Sequence, residues 1–383
     1  MKKILTILSY ILFLLNSNLQ AENSDNKLKI GLLAPFSGEY KKLGESIMFS
    51  IQMGLREIGD DRIIIIPRDS GSGDAEKLNS AITEIIEEGA KVIIGPINNK
   101  DFDKVKKFKD TIFISPSNIN PKIENNIISI GISLESQLLS IKKFLKKQKV
   151  KKTLILYPKN NYKPLILSKI KELNLSNYKL FEYSSDPKIL TGEIEKLTNY
   201  KQRKNNLEAR KKLLEGKEDE NSKKELIKLE QKYTLGKVDF DALVVIDFGS
   251  SLKSVLTSLI FSDVNQDDVL FVTVNQWFDK SIFYENSLKN IYYPSVNYKN
   301  FERYSKNYYK IFKRQPSEIT ILTYDAIGLI YYIWSKNKKI TSIKDFLIKD
   351  KIKGRIGTFG FKDNQVFQDL EIYLVKDNKF IKF

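Results

Sequence analysis

The chain contains neither histidine nor cysteine among its 383 residues. Their absence removes the commonest general base, the commonest metal ligand and the thiol nucleophile. An enzyme built from this sequence would have to rely on Asp, Glu, Ser, Lys or Tyr side chains. Without cysteine a disulfide framework and a thiolate metal site are also excluded, and we expect no metal or other cofactor.

The sequence holds fragments of catalytic and nucleotide-binding motifs, but none is complete. Gly71-Ser72-Gly73 resembles part of a phosphate-binding loop, yet it lacks both the G-x-G-x-x-G spacing and a Lys-Ser/Thr pair. We interpret it as a turn with Asp74 as the N-cap of the next helix. The G-x-S-x-G nucleophile elbow is missing. The acidic pairs Asp60-Asp61 and Asp267-Asp268 fall in predicted turns, where solvated acids are ordinary, rather than forming a glycosidase couple.

A group of aromatic residues lies in the second half of the chain. It could stack on a sugar or a lipid, but aromatic residues at such positions more often fill a core or a hinge, and we favour that interpretation. The group comprises Trp277, Phe278, Phe283, Tyr284, Tyr292 and Tyr293.

The elements that would position a binding site begin near residue 28. The run Leu28–Ala34 is short and apolar, as expected for a buried parallel strand, and Pro35 ends it. Ser37-Gly38 forms a turn before a predicted helix. Because open α/β sheets bind ligands at such strand ends, we predict a ligand-sized crevice there. The apolar positions of that helix are Leu43, Ile47, Ile51, Leu55 and Ile58.

Residues 1–21 have the composition of an export signal. Lys2 and Lys3 are followed by the apolar run Ile4–Leu15, and Leu19-Gln20-Ala21 is a plausible cleavage site. An uncleaved anchor is the alternative, but polar residues interrupt the run and about 18 apolar residues are needed to span a bilayer. We predict a cleaved signal peptide and a periplasmic protein without a transmembrane span. It would not be a lipoprotein, because the cleavage site has no cysteine.

The formal net charge is +17, and it is spread along the chain. Nucleic acid is a poor partner for an exported protein of this kind, although anionic envelope polymers or lipid surfaces could be attracted. We favour a solvated basic surface that reflects a biased composition.

Strand and helix patterns alternate in two series, which predicts two similar lobes, each a parallel sheet flanked by helices. We expect residues 27–131 and 297–345 to form lobe 1, and residues 135–294 and 354–383 to form lobe 2. The tail alternates like antiparallel strands with a turn at Asp363-Asn364. The predicted strands are Leu28–Ala34, Arg62–Ile66, Lys91–Ile94, Thr111–Ile114, Thr153–Tyr157, Tyr178–Tyr183, Ala242–Ile246, Val269–Val274 and Tyr292–Val296. The main predicted helices are Asp74–Glu88, Asp101–Phe108, Pro164–Leu173, Leu252–Phe261, Tyr298–Phe312 and Ile319–Trp334.

The segment 191–236 breaks this alternation because it is dense in Lys, Arg and Glu. We interpret it as a helical hairpin inserted in lobe 2, with Ser222 and Glu225 forming a capping box and Gly236 at a C-cap. It has too few apolar residues for a core of its own. The hairpin is either a solvated or partly disordered surface insertion or a docking element for a partner.

Four phrases, in order along the chain, resemble the leucine-binding-protein family, the type I periplasmic binding proteins. They are GLLAPFSGEYKKLG at 31–44, VIIGP at 92–96, ISPSNINP at 114–121 and TYDAIGL at 323–329. This resemblance implies a two-lobed α/β fold with a parallel sheet in each lobe and a ligand cleft between them. Members are binding proteins, not enzymes.

A narrower resemblance links the chain to the penicillin-binding-protein activators, noncatalytic periplasmic proteins thought to regulate peptidoglycan synthases. It rests on DDRIIIIPRDSGSG, on LEQKYTLGKVDFDALVV after the charged hairpin, and on the closing GRIGTFGFKDNQVFQDLEIYLV. The partner implied is a peptidoglycan synthase. The alternative is the substrate-binding component of an ABC transporter for branched-chain amino acids or a related solute, with a permease as partner; an envelope hydrolase is more distant.

The resemblance carries a set of ligand-binding positions onto this sequence. Such a cleft needs donors for a ligand carboxylate and a carboxylate or carbonyls for an ammonium. The chain departs from the pattern at Ile119, where a hydroxyl residue is expected, and at Asn275-Gln276, where an acid is expected. Asp247 is the nearest acid, but it could simply cap the next helix. The candidate residues are Ser37, Tyr40, Asn98, Asn99, Ser117, Asn118, Tyr162, Phe248, Asn275 and Gln276.

Overall fold

The structure is a computed structural model that describes residues 27–118, 126–355, 357–362 and 365–383. The predicted signal peptide, Ile119 and the predicted turn at Asp363-Asn364 lie outside these ranges. No helix within them is both long and apolar enough to cross a membrane.

Strands and helices alternate through most of the chain. The strands are β1 (Leu28–Ala34), β2 (Ile63–Asp69), β3 (Val92–Ile94), β4 (Ile112–Ser115), β5 (Ile127–Ser129), β6 (Thr153–Pro158), β7 (Tyr178–Tyr183), β8 (Ala242–Val245), β9 (Leu270–Thr273), β10 (Ile291–Ser295), β11 (Ile352–Lys353), β12 (Thr358–Lys362), β13 (Gln365–Gln368), β14 (Glu371–Lys376) and β15 (Lys379–Lys382). The helices are α1 (Lys41–Ile58), α2 (Ala75–Glu87), α3 (Phe102–Val105), α4 (Leu134–Lys147), α5 (Lys163–Glu172), α6 (Pro187–Leu197), α7 (Tyr200–Glu215), α8 (Glu220–Glu230), α9 (Gly249–Phe261), α10 (Tyr298–Phe312) and α11 (Thr320–Asn337).

The first compact unit, unit 1, contains the described residues up to Ser133 and Lys299–Gln368. Its sheet has the order β11-β12-β13-β5-β4-β3-β1-β2, and β5, β4, β3, β1 and β2 are parallel. The apolar run of β1 is buried except at Lys29, as expected for a central parallel strand. Asp74 accepts hydrogen bonds from the amides of Glu76 and Lys77, which confirms it as the N-cap of α2.

The second compact unit, unit 2, contains Leu134–Tyr298 and Asp369–Phe383. Its sheet has the order β15-β14-β10-β9-β8-β6-β7. Neighbouring strands from β10 to β7 in this order are parallel, whereas β14 pairs antiparallel with both β10 and β15. Phe278 and Tyr293 are buried and pack on the ring of Tyr373, so the core interpretation is confirmed for these two aromatics. Tyr284 is 88% exposed and takes no part in that core.

Two sequence expectations about element boundaries are wrong. The tail 354–383 does not belong wholly to the second lobe, because β12 and β13 extend the unit 1 sheet through β5, and β14 and β15 join unit 2. The predicted helix Asp101–Phe108 is only α3, preceded by the 3₁₀ turn Asn99–Asp101.

The charged segment does form a helical hairpin, α7 and α8, but its ends differ from the prediction. Asp219 caps α8, with its side chain accepting a hydrogen bond from the Ser222 amide, so Ser222 is not the N-cap. Helix α8 ends at Glu230, and Gly236 lies beyond it with φ +113° rather than at its C-cap. The hairpin also has a small apolar cluster of its own, contrary to expectation. Its buried members are Leu207, Leu214 and Leu229.

A buried arginine of α7, Arg203, ties the hairpin to the rest of unit 2. Its guanidinium donates hydrogen bonds to the carbonyl oxygens of Ser262 at 2.5 Å and Asp263 at 3.1 Å, beyond the end of α9. It also donates to Thr198 O and Thr234 Oγ1, both at 2.9 Å. Because Arg203 is only 5% exposed, these bonds replace its hydration. The hairpin is therefore anchored at its base.

We predict that Arg203→Ala lowers the free energy of unfolding by about 2 to 4 kcal/mol, since it leaves buried carbonyl groups without donors. Arg210→Ala is the matched control on the same helix, because Arg210 is half-exposed and pairs with Glu225. The control should cost less than about 1 kcal/mol. Urea denaturation measures both. Equal losses for the two variants would contradict the anchoring role.

Candidate functional site

The candidate residues of unit 1 follow the carboxyl ends of three neighbouring strands. Ser37 and Tyr40 come after β1, Asn98 and Asn99 after β3, and Ser117 and Asn118 after β4, and these strands are adjacent in the order β4-β3-β1. Because parallel strands end at the same edge of a sheet, the structure brings the three loops to one edge. Tyr40 and Asn118 are exposed there, whereas Ser117 is buried.

The loop after β1 is held by Asp69, at the end of β2. One carboxylate oxygen of Asp69 accepts hydrogen bonds from the amides of Phe36 at 2.9 Å and Gly71 at 3.2 Å. The other lies 3.0 Å from Lys77 Nζ. Lys77 Nζ is also 3.5 Å from Ser37 Oγ, which places Ser37 beside this ion pair. Sequence reasoning missed Asp69, although its position after an apolar strand and before a Gly-Ser-Gly turn was a usable signal.

The environment of Asp69 favours its ionised form. Partial burial opposes ionisation, but hydrogen bonds from Ser37 and Lys77, together with the two amides, outweigh it and lower the pKa of Asp69 to about 2. Asp69 is therefore charged at neutral pH and already bound by donors of its own unit.

The loops after β3 and β4 are also held by local hydrogen bonds. Asn98 Oδ1 accepts from the amide of Lys100 at 3.0 Å and caps the 3₁₀ turn that begins at Asn99. Ser115 Oγ donates to Pro96 O at 2.6 Å and accepts from the Ser117 amide at 3.2 Å. These bonds join the two loops, so the edge of unit 1 is pre-organised.

The candidate residues of unit 2 occupy the equivalent edge of its sheet. Tyr162 follows β6, Phe248 follows β8, and Asn275 and Gln276 follow β9, three strands adjacent in the order β9-β8-β6. Tyr162 is 48% and Phe248 52% exposed, so these two aromatic rings are available for contact. Asn275 is buried.

The polar groups at this edge of unit 2 bind one another. Asp247 Oδ1 accepts a hydrogen bond from the backbone amide of Phe248 at 2.8 Å, and Asp247 Oδ2 accepts one from the hydroxyl of Tyr183. Gln276 Nε2 donates to the carbonyl oxygens of Asp247 and Val274, both at 3.1 Å. Burial and the bond to Asp247 raise the pKa of Tyr183 well above its ordinary value, so its hydroxyl keeps its proton. Asp247 does not cap α9, because Phe248 occupies the N-cap position.

Asn275 is likewise used within unit 2. Its Oδ1 accepts a hydrogen bond from the backbone amide of Trp277 at 3.0 Å, and its backbone amide donates to Gln137 Oε1 at 2.8 Å. Gln137 and Tyr183 were not foreseen as members of this edge, because they are far from it in sequence. Among the described residues, no group of three or more acidic side chains is placed to hold a metal ion.

Residues 27–172 match the model of a family described as a periplasmic binding protein. The match confirms, over these residues, the resemblance to the leucine-binding-protein family inferred from the sequence. No curated protein sequence matches the chain.

Solved structures share the fold at low sequence identity. Leucine binding protein LivK from Thermotoga maritima is 11% identical with a TM-score of 0.57, covering 93% of this chain and 97% of that one. The C-domain of LpoA from Haemophilus influenzae, a regulator of PBP1A, is 14% identical with a TM-score of 0.61, covering 93% and 99%. A Rhodospirillum rubrum protein assigned to branched-chain amino acid ABC transport is 10% identical with a TM-score of 0.69, covering 93% and 100%. The predicted α/β fold class is confirmed.

We predict that Lys77→Met raises the pKa of Asp69 from about 2 toward its ordinary value of 3.8. Because the folded-state pKa lies below that of the unfolded chain, ionised Asp69 stabilises the fold at neutral pH, and this contribution is lost as the pH falls from 3.8 toward 2. Carboxyl ¹³C NMR titration measures the pKa. Lys41→Met, which removes an exposed lysine beside Glu45, is the control and should leave Asp69 unchanged. An unchanged Asp69 pKa in Lys77→Met would contradict the assignment.

Proposed function

We propose that this protein is a noncatalytic periplasmic ligand-binding protein that regulates a peptidoglycan synthase, as penicillin-binding-protein activators do. The candidate residues at the two sheet edges are its proposed ligand contacts. The observation that carries the choice of regulator over amino-acid receptor is the hydrogen bonding of Asp247 with Tyr183 and Phe248.

Asp247 matters because a zwitterionic amino acid needs a carboxylate or carbonyls for its ammonium. At the edge of unit 2 the acid is Asp247, and both of its oxygens already accept hydrogen bonds. An ammonium would have to share the charge of Asp247 with the Tyr183 hydroxyl and the Phe248 amide, which weakens its gain from the carboxylate. Gln276 offers no charge in place of an acid, and its amide nitrogen is committed to two carbonyl groups.

The α7–α8 hairpin supports a protein partner. It carries two large apolar side chains that stand out in solvent, Leu213 at 65% and Ile227 at 59% exposed, while its own small core is formed by other leucines. Its base is fixed by Arg203, so the helices are presented on a rigid support. Exposed apolar residues on an anchored surface element suit a docking contact. The fold shared with LpoA, a regulator of PBP1A, is consistent with this role.

The alternative is a transport receptor for a branched-chain amino acid or a related small solute. The exposed rings of Tyr162 and Phe248 favour it, because they could cover an apolar ligand side chain. Its partner would be an ABC permease. The two functions differ in what they require: tight binding of a free amino acid for the receptor, and binding of a synthase for the regulator.

We predict that the protein does not bind free leucine with sub-micromolar affinity. An ammonium that loses its water without gaining a carboxylate costs about 1 to 3 kcal/mol, or roughly a tenfold to hundredfold loss in affinity. Isothermal titration calorimetry of the mature chain with leucine measures this, beside a thermal-shift screen of amino acids and muropeptides. Sub-micromolar binding of any zwitterionic amino acid would favour the transport receptor instead.

We predict that Leu213→Ser combined with Ile227→Ser weakens binding to a purified peptidoglycan synthase of the same bacterium by about tenfold or more. The variant should fold normally, because both side chains are exposed. Leu180→Ser, at a 40% exposed position on β7, is the matched control and should bind as the unaltered protein does.

Surface plasmon resonance measures the three affinities. If the unaltered protein binds no synthase, the regulator function is wrong. If it binds and the hairpin variant binds equally well, the docking surface lies elsewhere on the protein.

A further inference from the structure

A groove that takes no part in the proposed function lies within unit 1. It is formed by α1, α10, α11, β11 and the residues Gly354 and Arg355, and consists of two adjoining cavities of about 570 and 740 Å³. Their volumes lie in the range of small-molecule sites. The cavities are continuous because they share the lining residues Glu57, Asn300, Arg303, Tyr324 and Arg355. We call this surface the α10 groove.

The carboxylates that line the α10 groove are already engaged. Glu57 accepts hydrogen bonds from the guanidinium of Arg355 and the hydroxyl of Tyr324. Asp325 Oδ1 accepts the backbone amide of Arg355 at 2.8 Å. The two carboxylates of the groove therefore hold Arg355 in place.

Three cations that line the first cavity of the groove, Arg56, Arg303 and Lys310, form no ion pair with any described residue. All three are exposed. Arg303 and Lys310 are seven residues apart on α10, about 10 Å along the helix axis, and Arg56 projects from α1 into the same cavity. Like charges gathered in one concave surface repel one another and attract a counter-ion.

The floor of the groove is rigid. Tyr304 lines the first cavity and is buried, and its hydroxyl lies 3.0 Å from Ser50 Oγ and 2.7 Å from Thr320 Oγ1. Ser50 Oγ donates in turn to Thr320 O at 2.7 Å. These bonds join α1, α10 and α11, the helices that carry the cations and line the groove. The cations are thus mounted on a fixed frame, which lowers the cost of ordering a site around a ligand.

We propose that the α10 groove binds a multivalent oxyanion, a small ligand that carries two or more phosphate or carboxylate groups. Arginine forks match the geometry of both groups, and two or more charges are needed to reach cations about 10 Å apart. The site is independent of the proposed function, because it uses none of the candidate residues at the sheet edges and none of the hairpin.

The test is calorimetry of the whole mature chain with tripolyphosphate, citrate and inorganic phosphate at about 0.1 M salt, where distant surface charges are screened. We expect saturable binding of tripolyphosphate or citrate, and weaker binding of inorganic phosphate. The combined Arg56→Gln and Arg303→Gln variant should bind at least about tenfold more weakly, because two charge-assisted contacts are lost. Lys310→Gln alone should show a smaller loss in the same direction.

Lys306→Gln is the matched control. Lys306 lies on the same helix and carries the same charge, but it pairs with Glu302 and does not line the groove. Its affinity should be unchanged. Binding of tripolyphosphate alone would identify compounds with several phosphate groups as the ligand class, and binding of citrate alone would identify polycarboxylates. Absence of saturable binding, or an equal loss in Lys306→Gln, would overturn the proposal, the latter because it indicates unspecific attraction by the net positive charge.

Discussion

Strand β1 lies between β2 and β3 in a parallel pairing in which Ile30 is opposite Ile65 on one side and Val92 on the other. The pairing fixes where the strand ends, and therefore where the loop of Phe36 and Ser37 begins. A side chain at Gly31 would press on Ile85, so glycine lets α2 approach the sheet closely. At Gly44 a Cβ would overlap the Pro35 carbonyl, so α1 can follow the loop directly. The candidate residues after β1 depend on this close packing.

The strands and the fold class could be predicted because buried parallel strands are short apolar runs bounded by turn residues. The run Leu28–Ala34 is an example, since its predicted and observed bounds are the same. The tail could not be assigned in the same way. Alternation shows that Thr358–Lys362 and Gln365–Gln368 are strands, but the sheet that they join depends on a contact with β5, more than 200 residues earlier in the sequence. Local pattern carries no information about that partner.

The hairpin shows a second limit of sequence reasoning. Asp219 and Ser222, three positions apart, are both residue types that commonly occupy an N-cap. The sequence alone does not show at which of the two positions the helical backbone begins. The sequence also did not indicate which of the many basic residues of this segment would anchor it. Only the packing of α7 against the end of α9 distinguishes buried Arg203 from exposed Arg210. The sequence could place the candidate residues at the ends of strands. It could not predict the hydrogen bonds of Asp69 with Phe36 and of Asp247 with Tyr183, because these residues are 33 and 64 positions apart in the chain.

The polar side chains at the edge of unit 2 differ from the cations of the α10 groove in whether they already bind other groups of the protein. At the edge of unit 2, Asp247 and Asn275 have partners within their own unit, and their desolvation is compensated before any ligand arrives. A ligand gains less from such groups, because it must share them with donors that they already bind. In the α10 groove, carboxylates hold Arg355 in place and leave Arg56 and Arg303 without partners. Because water is the alternative partner of those two cations, an oxyanion can replace it without breaking any bond within the protein.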